Sequence, residues 1–151
     1  MNKTIVVKCG GSVLSELSPS FFESMKELTE QGYSIVFVHG GGPEINAMLQ
    51  TLKVQSEFKK GLRVTTKQVL ETAELALAGS LNRKLVRMLE QHGLQAIGLN
   101  SSDNQLLEAD FIDEEQLGYV GDVTSVNSQF IKLLCQEDLL PVLTPIAAGP
   151  D

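Results

Sequence analysis

Short apolar runs alternate along this chain with longer stretches in which apolar residues recur at every third or fourth position. A run without polar alternation is typical of a strand that is buried on both faces, as in a parallel sheet. Four such runs occur, at residues 4–7, 34–38, 94–99 and 139–146. Helical spacing occupies the segments 19–32, 43–52, 67–92 and 126–137. This alternation predicts an α/β fold with a mostly parallel sheet and helices on both faces.

The segment 67–92 predicts a single helix that exceeds twice the average helix length of about 11–12 residues. An apolar stripe at helical spacing is formed by Leu70, Ala73, Leu77, Leu81, Leu85 and Met88. A second stripe, with small residues beside Gly79 and Ser80, is formed by Val69, Ala73, Ala76 and Arg83. The other segments predict a hairpin or protruding loop at 58–65, a loop at 100–104 and one or two short strands within 106–123.

Glycine clusters follow two of the predicted strands, as KCGGS at 8–12 and as HGGGPEI at 39–45. Ligands of open α/β sheets bind at the carboxyl edge of the strands, which is where both clusters are expected. Glycine lets backbone N–H groups approach a ligand closely, and a helix N-terminus favours an anion. Gly41 and Gly42 are therefore predicted to bind an anion. The alternative is a tight turn in which glycine only relieves steric crowding.

Two basic residues accompany these clusters. Lys8 precedes its glycines, so KCGGS is not the phosphate loop GxxxxGK[ST]. A lysine that ends a buried strand is predicted to meet a ligand charge, and the alternative is an ammonium that only reaches solvent. Arg63 in the predicted hairpin offers a planar fork that binds a carboxylate bidentately. Alone it would be a surface charge, but beside both clusters it is interpreted as a substrate clamp.

Composition narrows the classes of partner. The chain has 151 residues and a net charge of -7, and it has no block of Lys and Arg, which argues against nucleic acid as a partner. No apolar run approaches transmembrane length, which argues against a membrane partner. Cys9 and Cys135 are too few for a zinc set or a disulfide framework, so the cytoplasm is the expected compartment.

Five motifs in order, KCGGS, VHGGGPEI, KKGLRVT, ALAGSLNRKL and GYVGDV, resemble those of the acetylglutamate kinases in the amino acid kinase superfamily. The resemblance extends over the whole chain. It implies a three-layer α/β/α sandwich in which an N-terminal lobe binds the amino acid and a C-terminal lobe binds the nucleotide. The implied activity is phosphorylation of the γ-carboxylate of N-acetyl-L-glutamate by ATP with Mg²⁺, in arginine biosynthesis.

The resemblance also implies a role for each candidate site residue. Lys8 would bind the ATP phosphates and neutralise charge on the phosphoryl group during transfer, and Gly11 would line the phosphates. Gly41 and Gly42 would hold N-acetyl-L-glutamate through backbone N–H groups, and Arg63 would hold its α-carboxylate. The helix at 67–92 would build a homodimer interface.

Three further residues receive no catalytic role. Cys9 stands where the family more often has a larger apolar or aromatic residue, a change expected to affect only packing. The segment NSSDNQ departs from the family pattern, so Asp103 is assigned no function. For His39, a hydrogen-bonded structural histidine at a strand end is the preferred interpretation.

The resemblance matches somewhat more than the first half of a family member. Residues 1–151 are therefore expected to form the substrate-binding and dimerisation lobe, without the nucleotide-binding lobe and without kinase activity alone. Apolar surface is expected to be exposed near 139–146. Alternatives that remain open are a non-catalytic amino-acid-binding or assembly subunit, and another amino acid kinase such as glutamate 5-kinase.

Overall fold

A computed structural model describes residues 3–150. Its strands are β1 (Thr4–Cys9), β2 (Ser34–His39), β3 (Phe58–Lys59), β4 (Leu62–Arg63), β5 (Ala96–Leu99), β6 (Leu107–Phe111), β7 (Gly121–Val126) and β8 (Leu140–Leu143). Its α-helices are α1 (Gly11–Leu14), α2 (Pro19–Glu30), α3 (Gly42–Thr51), α4 (Lys67–Glu74), α5 (Asn82–Gln91), α6 (Glu114–Leu117) and α7 (Ser128–Gln136). A π-helical segment, Leu75–Leu81, joins α4 to α5, and a short 3₁₀ turn covers Asp103–Gln105.

The main sheet is parallel and has the order β1-β2-β8-β5. Alternate residues of β2 face opposite sides of it. Ile35 and Phe37 pack into one apolar cluster, and Val36 and Val38 pack into another. Two clusters on opposite faces confirm the predicted α/β/α sandwich with a mostly parallel sheet.

Each face of the sheet is covered by different helices. The larger cluster takes Phe22 and Met25 from α2 and Leu85 and Leu89 from α5, all nearly inaccessible to solvent. The smaller cluster takes Phe130, Ile131 and Cys135 from α7, together with the fully buried Leu106. Helix α2 begins at Pro19, where the predicted helical segment begins.

The expectation of exposed apolar surface at 139–146 is wrong for most of that segment. Every residue of β8 is buried, because β8 is hydrogen-bonded between β2 and β5 in the middle of the sheet. Exposed apolar strand residues lie elsewhere, at Val6 of β1, which is 64% exposed, and along β7, where every residue is exposed.

The long helix differs from its prediction in two respects. It is continuous from α4 to α5, but its middle turns are π-helical, a geometry that occurs mostly as short bulges inside α-helices and often at functional sites. Of its second stripe, Val69, Ala73 and Ala76 are buried against the rest of the chain, whereas Arg83 is exposed. The outer surface carries Leu75, which is 59% exposed.

Two hairpins lie outside the main sheet. The β3–β4 hairpin was predicted, and its tip residues Lys60 and Gly61 both have positive φ, as a two-residue primed turn requires. The β6–β7 pair is also antiparallel, and β7 begins at Gly121. Helix α6, which precedes Gly118, was not predicted.

No helix within residues 3–150 is both long enough and apolar enough to cross a bilayer.

A buried polar network ties β2 to the long helix. His39 is 1% exposed, and its Nδ1 donates to the Gly40 carbonyl at 2.8 Å. The amide nitrogen of the fully buried Asn82 donates to His39 Nε2 at 3.1 Å and to the Val142 carbonyl at 2.9 Å, while Arg83 donates to its oxygen. Burial lowers the pKa of His39, in agreement with a neutral ring that donates from one nitrogen and accepts at the other. His39 is therefore a hydrogen-bonded structural histidine, as preferred from the sequence.

Replacing Asn82 should destabilise the fold more than an ordinary helix substitution does. Asn82→Ala leaves a buried ring nitrogen on His39 and the Val142 carbonyl without their donor, which costs about 2–3 kcal/mol of unfolding free energy. Chemical denaturation monitored by circular dichroism measures this loss. Gln91→Ala, at an exposed position on the same helix, is the control. An equal loss in both variants would show that the network is not a stabilising feature.

Candidate functional site

The two glycine turns meet at the carboxyl edge of the sheet. The Gly40 N–H donates to the Cys9 carbonyl at 2.9 Å. A Cβ placed on Gly11 would lie only 2.8 Å from the Gly41 Cα and 2.8 Å from the Gly42 nitrogen. No flexible side chain is available to yield there, because backbone faces backbone. Glycine at position 11 is therefore required for this contact between the turns.

The π-helical segment supports the second turn from behind. A Cβ on Gly41 would meet the methyl carbons of Leu77 at 2.3 Å and Leu81 at 2.8 Å. Gly10 and Gly42, in contrast, have no atom within 4 Å of the position that a Cβ would occupy. The paired turns are therefore closely packed on the helix side and open at Gly10 and Gly42.

Helix α3 starts directly at this turn. It begins at Gly42, with Pro43 in the first turn and Gly41 before it, and no side chain caps its N–H groups. The first N–H groups of a helix have no partner inside the helix and attract an anion. Nearby, the Oε2 atom of Glu44 is buried and has no hydrogen-bond partner within residues 3–150. The predicted anion site at Gly41 and Gly42 thus lies at an uncapped helix N-terminus, and its occupancy stays a prediction.

Lys8 lies one residue before the first turn, on the side of the sheet that carries Val38. The two residues are register partners in β1 and β2, and neighbouring partners in a parallel sheet share a face. The Lys8 residue is exposed. Within the described part of the chain it makes no ion pair, because the pairs found there are Lys26–Glu30 and Lys59–Glu57. Its charge is accordingly available to a ligand or to solvent.

Arg63 is held by neutral groups on three sides. Its two terminal nitrogens donate to the Ser56 hydroxyl at 2.9 Å and to the Asn46 side-chain oxygen at 2.7 Å. Its guanidinium carbon lies 4.6 Å from the centroid of the Phe58 ring, the cross-strand partner of Arg63 in the hairpin. Partial burial lowers the pKa of Arg63, yet arginine keeps its charge in proteins.

An apolar cavity of ≈ 320 Å³ opens on the same edge of the sheet as the glycine turns. Its lining includes Val38, Leu70, Phe111, Tyr119, Val123 and Ile146. Thr65 connects this cavity to the Arg63 hairpin, because its N–H donates to Leu117 and its carbonyl accepts from Tyr119. A separate cavity of ≈ 240 Å³ lies at the amino edge near Gly32 and Gly93, and none of the predicted site residues lines either cavity.

The structure brings most of the predicted site residues together. Gly11, Gly41 and Gly42 are in direct contact, and Lys8 lies in β1 just before Gly10 and Gly11, paired with Val38 of β2. Arg63 reaches the first turns of α3 through Asn46. Both Lys8 and Arg63 are cations with donors only, so an anion is the kind of ligand that could interact with either of them.

The hydrogen-bond partners of Arg63, Asn46 and Ser56, were not identified from the sequence. Asn46 is separated from Arg63 by 17 positions, and no spacing rule relates an α3 residue to a hairpin residue.

The carboxylate of Asp103 accepts from the Asn100 N–H at 3.1 Å, which gives it a local structural role. Cys9 is buried in the larger apolar cluster, as expected of a packing residue, and burial raises the pKa of its thiol.

Comparison with known proteins identifies the family of this chain. The family model described as the amino acid kinase family matches residues 3–151. A protein named acetylglutamate kinase from Geobacillus sp. (strain WCH70) is 56% identical over 151 residues, which are 100% of this chain and 59% of that relative. The chain thus spans about three fifths of the length of the curated relatives it matches.

Solved structures share the fold. The structure of smu.665 from Streptococcus mutans UA159 matches with a TM-score of 0.90 and 33% identity, over 95% of this chain and 59% of that one. N-acetylglutamate synthase from Neisseria gonorrhoeae, solved with coenzyme A and N-acetyl-glutamate, matches with a TM-score of 0.74 over 97% of this chain and 34% of its own. At 17% identity, this second match shows a shared fold alone.

The contact between the two glycine turns makes a prediction about stability. Gly11→Ala should lower the unfolding free energy by about 1–3 kcal/mol, because the added methyl group would overlap the backbone of Gly41 and Gly42. Gly42→Ala, at an open position, should change it far less. Urea denaturation of the two variants measures the difference. Equal stability would mean that the turns do not pack against each other in solution.

Proposed function

Because this chain belongs to the amino acid kinase family, we propose that it supplies the amino-acid-binding half of a kinase that phosphorylates N-acetyl-L-glutamate. The observation that carries the proposal is Arg63, a guanidinium held only by neutral groups beside an uncapped helix N-terminus. Two positive elements at one sheet edge suit a dicarboxylate. The relatives named acetylglutamate kinase support the same substrate.

Each part of this substrate has a complementary feature in the site. Arg63 binds the α-carboxylate, and the N–H groups of Gly41 and Gly42 bind the γ-carboxylate. The apolar cavity lined by Val38 and Tyr119 offers space for the uncharged acetyl group. The ammonium group of an unmodified amino acid would be desolvated by the apolar part of this wall, and Asp110, which also lines the cavity, is its available counter-charge.

The proposed reaction is transfer of a phosphoryl group to a carboxylate. A γ-carboxylate oxygen attacks the terminal phosphorus of ATP, and the bond between that phosphorus and the bridging oxygen breaks. The products are an acyl phosphate and ADP. Such a transfer depends on positioning and charge stabilisation, so Lys8 neutralises the phosphoryl oxygens while the glycine N–H groups keep the acceptor in line.

The described residues fit nucleotide phosphates but provide no metal cage. Gly10 and Gly42 have open space beside their backbones, and Lys8 adds a cation near the first turn. Gly11 lines the phosphates in this proposal, in addition to its packing role. Within residues 3–150 no group of three or more His, Cys, Asp and Glu side chains could hold a metal ion. In this proposal Mg²⁺ enters bound to the ATP phosphates, as it commonly does.

The proposed roles of the two lobes follow from how much of the relatives this chain covers. Residues 1–151 form the substrate-binding and dimerisation lobe, and the part of the relatives outside the match supplies the nucleotide contacts. We further propose that the kinase acts in the cytoplasm, in arginine biosynthesis. Closure of a second lobe would exclude water and strengthen the charge interactions at Lys8 and Arg63.

We also propose that two copies of the chain associate through the long helix. Its outer surface forms a shallow groove lined by Glu71, Glu74, Leu75, Ala78 and Gly79. Gly79 has no neighbouring atom within 4 Å of a built Cβ, so a second helix can approach closely. Val69, Ala73 and Ala76 of the same helix are buried within the chain and are not available for such a contact.

Substitution of Arg63 tests the substrate assignment. Arg63→Ala should weaken binding of N-acetyl-L-glutamate roughly ten- to a hundredfold, because a charge-assisted bond is lost. Arg63→Lys should restore only part of the affinity, since a lysine cannot form the bidentate contact. Isothermal titration calorimetry measures both. Equal affinity for L-glutamate would favour a glutamate 5-kinase, and an unchanged affinity in Arg63→Ala would rule out the clamp.

The role of Lys8 requires a complete kinase. In a chimera that joins residues 1–151 to the remaining part of the Geobacillus relative, Lys8→Ala should lower kcat by a factor on the order of 10²–10³. The KM for N-acetyl-L-glutamate should change much less. A coupled ADP-release assay gives both constants. If the unmodified chimera binds the amino acid without turnover, the non-catalytic binding subunit becomes the better description.

The dimer is tested by a charge placed in the groove. Leu75→Glu should convert a dimer to a monomer, because a carboxylate would be buried at a two-fold contact beside Glu71 and Glu74. Sedimentation velocity reports the oligomeric state. Leu133→Glu changes a similarly exposed leucine on α7 and is the control, with 53% exposure against 59% for Leu75. Dissociation by both variants, or by neither, would contradict the assignment of this surface.

A further inference from the structure

We propose that Asn46 is a positioning residue that orients Arg63 without neutralising it, and so determines how strongly the site binds a carboxylate. The inference rests on the proposed function, because it assumes that Arg63 meets a ligand carboxylate. The inference adds to the site a residue from helix α3. Because the side chain of Asn46 is neutral, the positive charge of Arg63 remains available to the ligand.

The geometry places Asn46 between the two anion-binding elements. It lies one turn into α3, which begins at Gly42, and its side-chain oxygen accepts from a terminal nitrogen of Arg63 at 2.7 Å. Ser56 accepts from the other terminal nitrogen at 2.9 Å, and the Phe58 ring covers one face of the guanidinium. The hairpin arginine is thus fastened to the helix whose N-terminus faces the same edge.

This arrangement leaves donors free. Each terminal nitrogen of Arg63 carries a second N–H, and Nε carries its own. Among residues 3–150 the Arg63 side chain donates only to Asn46 and Ser56. A planar group held at two points presents its remaining donors in a defined direction, which reduces the ordering cost when a carboxylate binds.

The neutrality of both acceptors matters for the charge. A carboxylate at position 46 would form an ion pair with Arg63, and a ligand carboxylate would have to compete with it. An amide oxygen accepts the same hydrogen bond without removing the positive charge. Asparagine differs from aspartate here by one amide group, so the side chain can be changed in charge with almost no change in shape.

The test compares Asn46→Asp with Asn46→Ala in the 151-residue chain, with N-acetyl-L-glutamate as the probe. Asn46→Asp should weaken binding about fivefold or more, since the new ion pair competes with the ligand. Asn46→Ala should weaken it less, because orientation is lost but the charge remains. Thermal unfolding without ligand should show Asn46→Asp at least as stable as the unchanged chain. Weaker binding combined with undiminished stability is a result that a purely structural role would not produce.

Gln50→Glu is the matched control, because it adds the same charge to α3 one turn further from Gly42. It should bind as the unchanged chain does. If Asn46→Asp binds with unchanged affinity while Arg63→Ala loses binding, the inference about Asn46 is overturned and the proposed function stands. Equal weakening by Gln50→Glu would also overturn it, by showing a general charge effect. If the unchanged chain does not bind N-acetyl-L-glutamate, the proposed substrate and the inference fail together.

Discussion

The close contact between the backbones of two glycine turns is the constraint on which the site depends. One turn follows β1 and the other follows β2, and a Cβ at Gly11 would come within 2.8 Å of the second turn. Parallel pairing of β1 with β2 places the strand ends side by side, which brings the turns together. The same pairing places Lys8 and the N-terminus of α3 at one edge of the sheet, and the glycine contact lets the two turns approach closely there.

The long helix supports the same contact from the other side. Leu77 and Leu81 project from the π-helical segment against Gly41, and Asn82 follows directly and bonds to His39. One stretch of the motif ALAGSLN therefore serves two purposes, apolar packing under the turn and hydrogen bonding to the strand that leads into it. The cost of leaving a buried polar group unpaired makes this arrangement specific for one geometry.

In the described part of the chain, the Arg63 guanidinium is an unpaired positive charge at the carboxyl edge of the sheet, which is unusual in a chain with a net charge of -7. Arg63 makes no ion pair within residues 3–150, although Asp and Glu side chains outnumber Lys and Arg in the chain by 19 to 12. An arginine fastened by Asn46 and Ser56 keeps its full charge for an anion. The local positive character is thus a property of the neutral neighbours as much as of the arginine itself.

The sequence by itself determined the class of fold, both glycine turns and the β3–β4 hairpin. Each of these depends on local chemistry, namely apolar periodicity and the backbone freedom of glycine at positions such as Gly61. Tertiary structure decided which strand lies in the middle of the sheet, which stripe of the long helix is covered, and which atoms hold Arg63. Those outcomes depend on contacts between segments far apart in the chain, such as β8 with β2 or Asn46 with Arg63, and no local pattern encodes such distances.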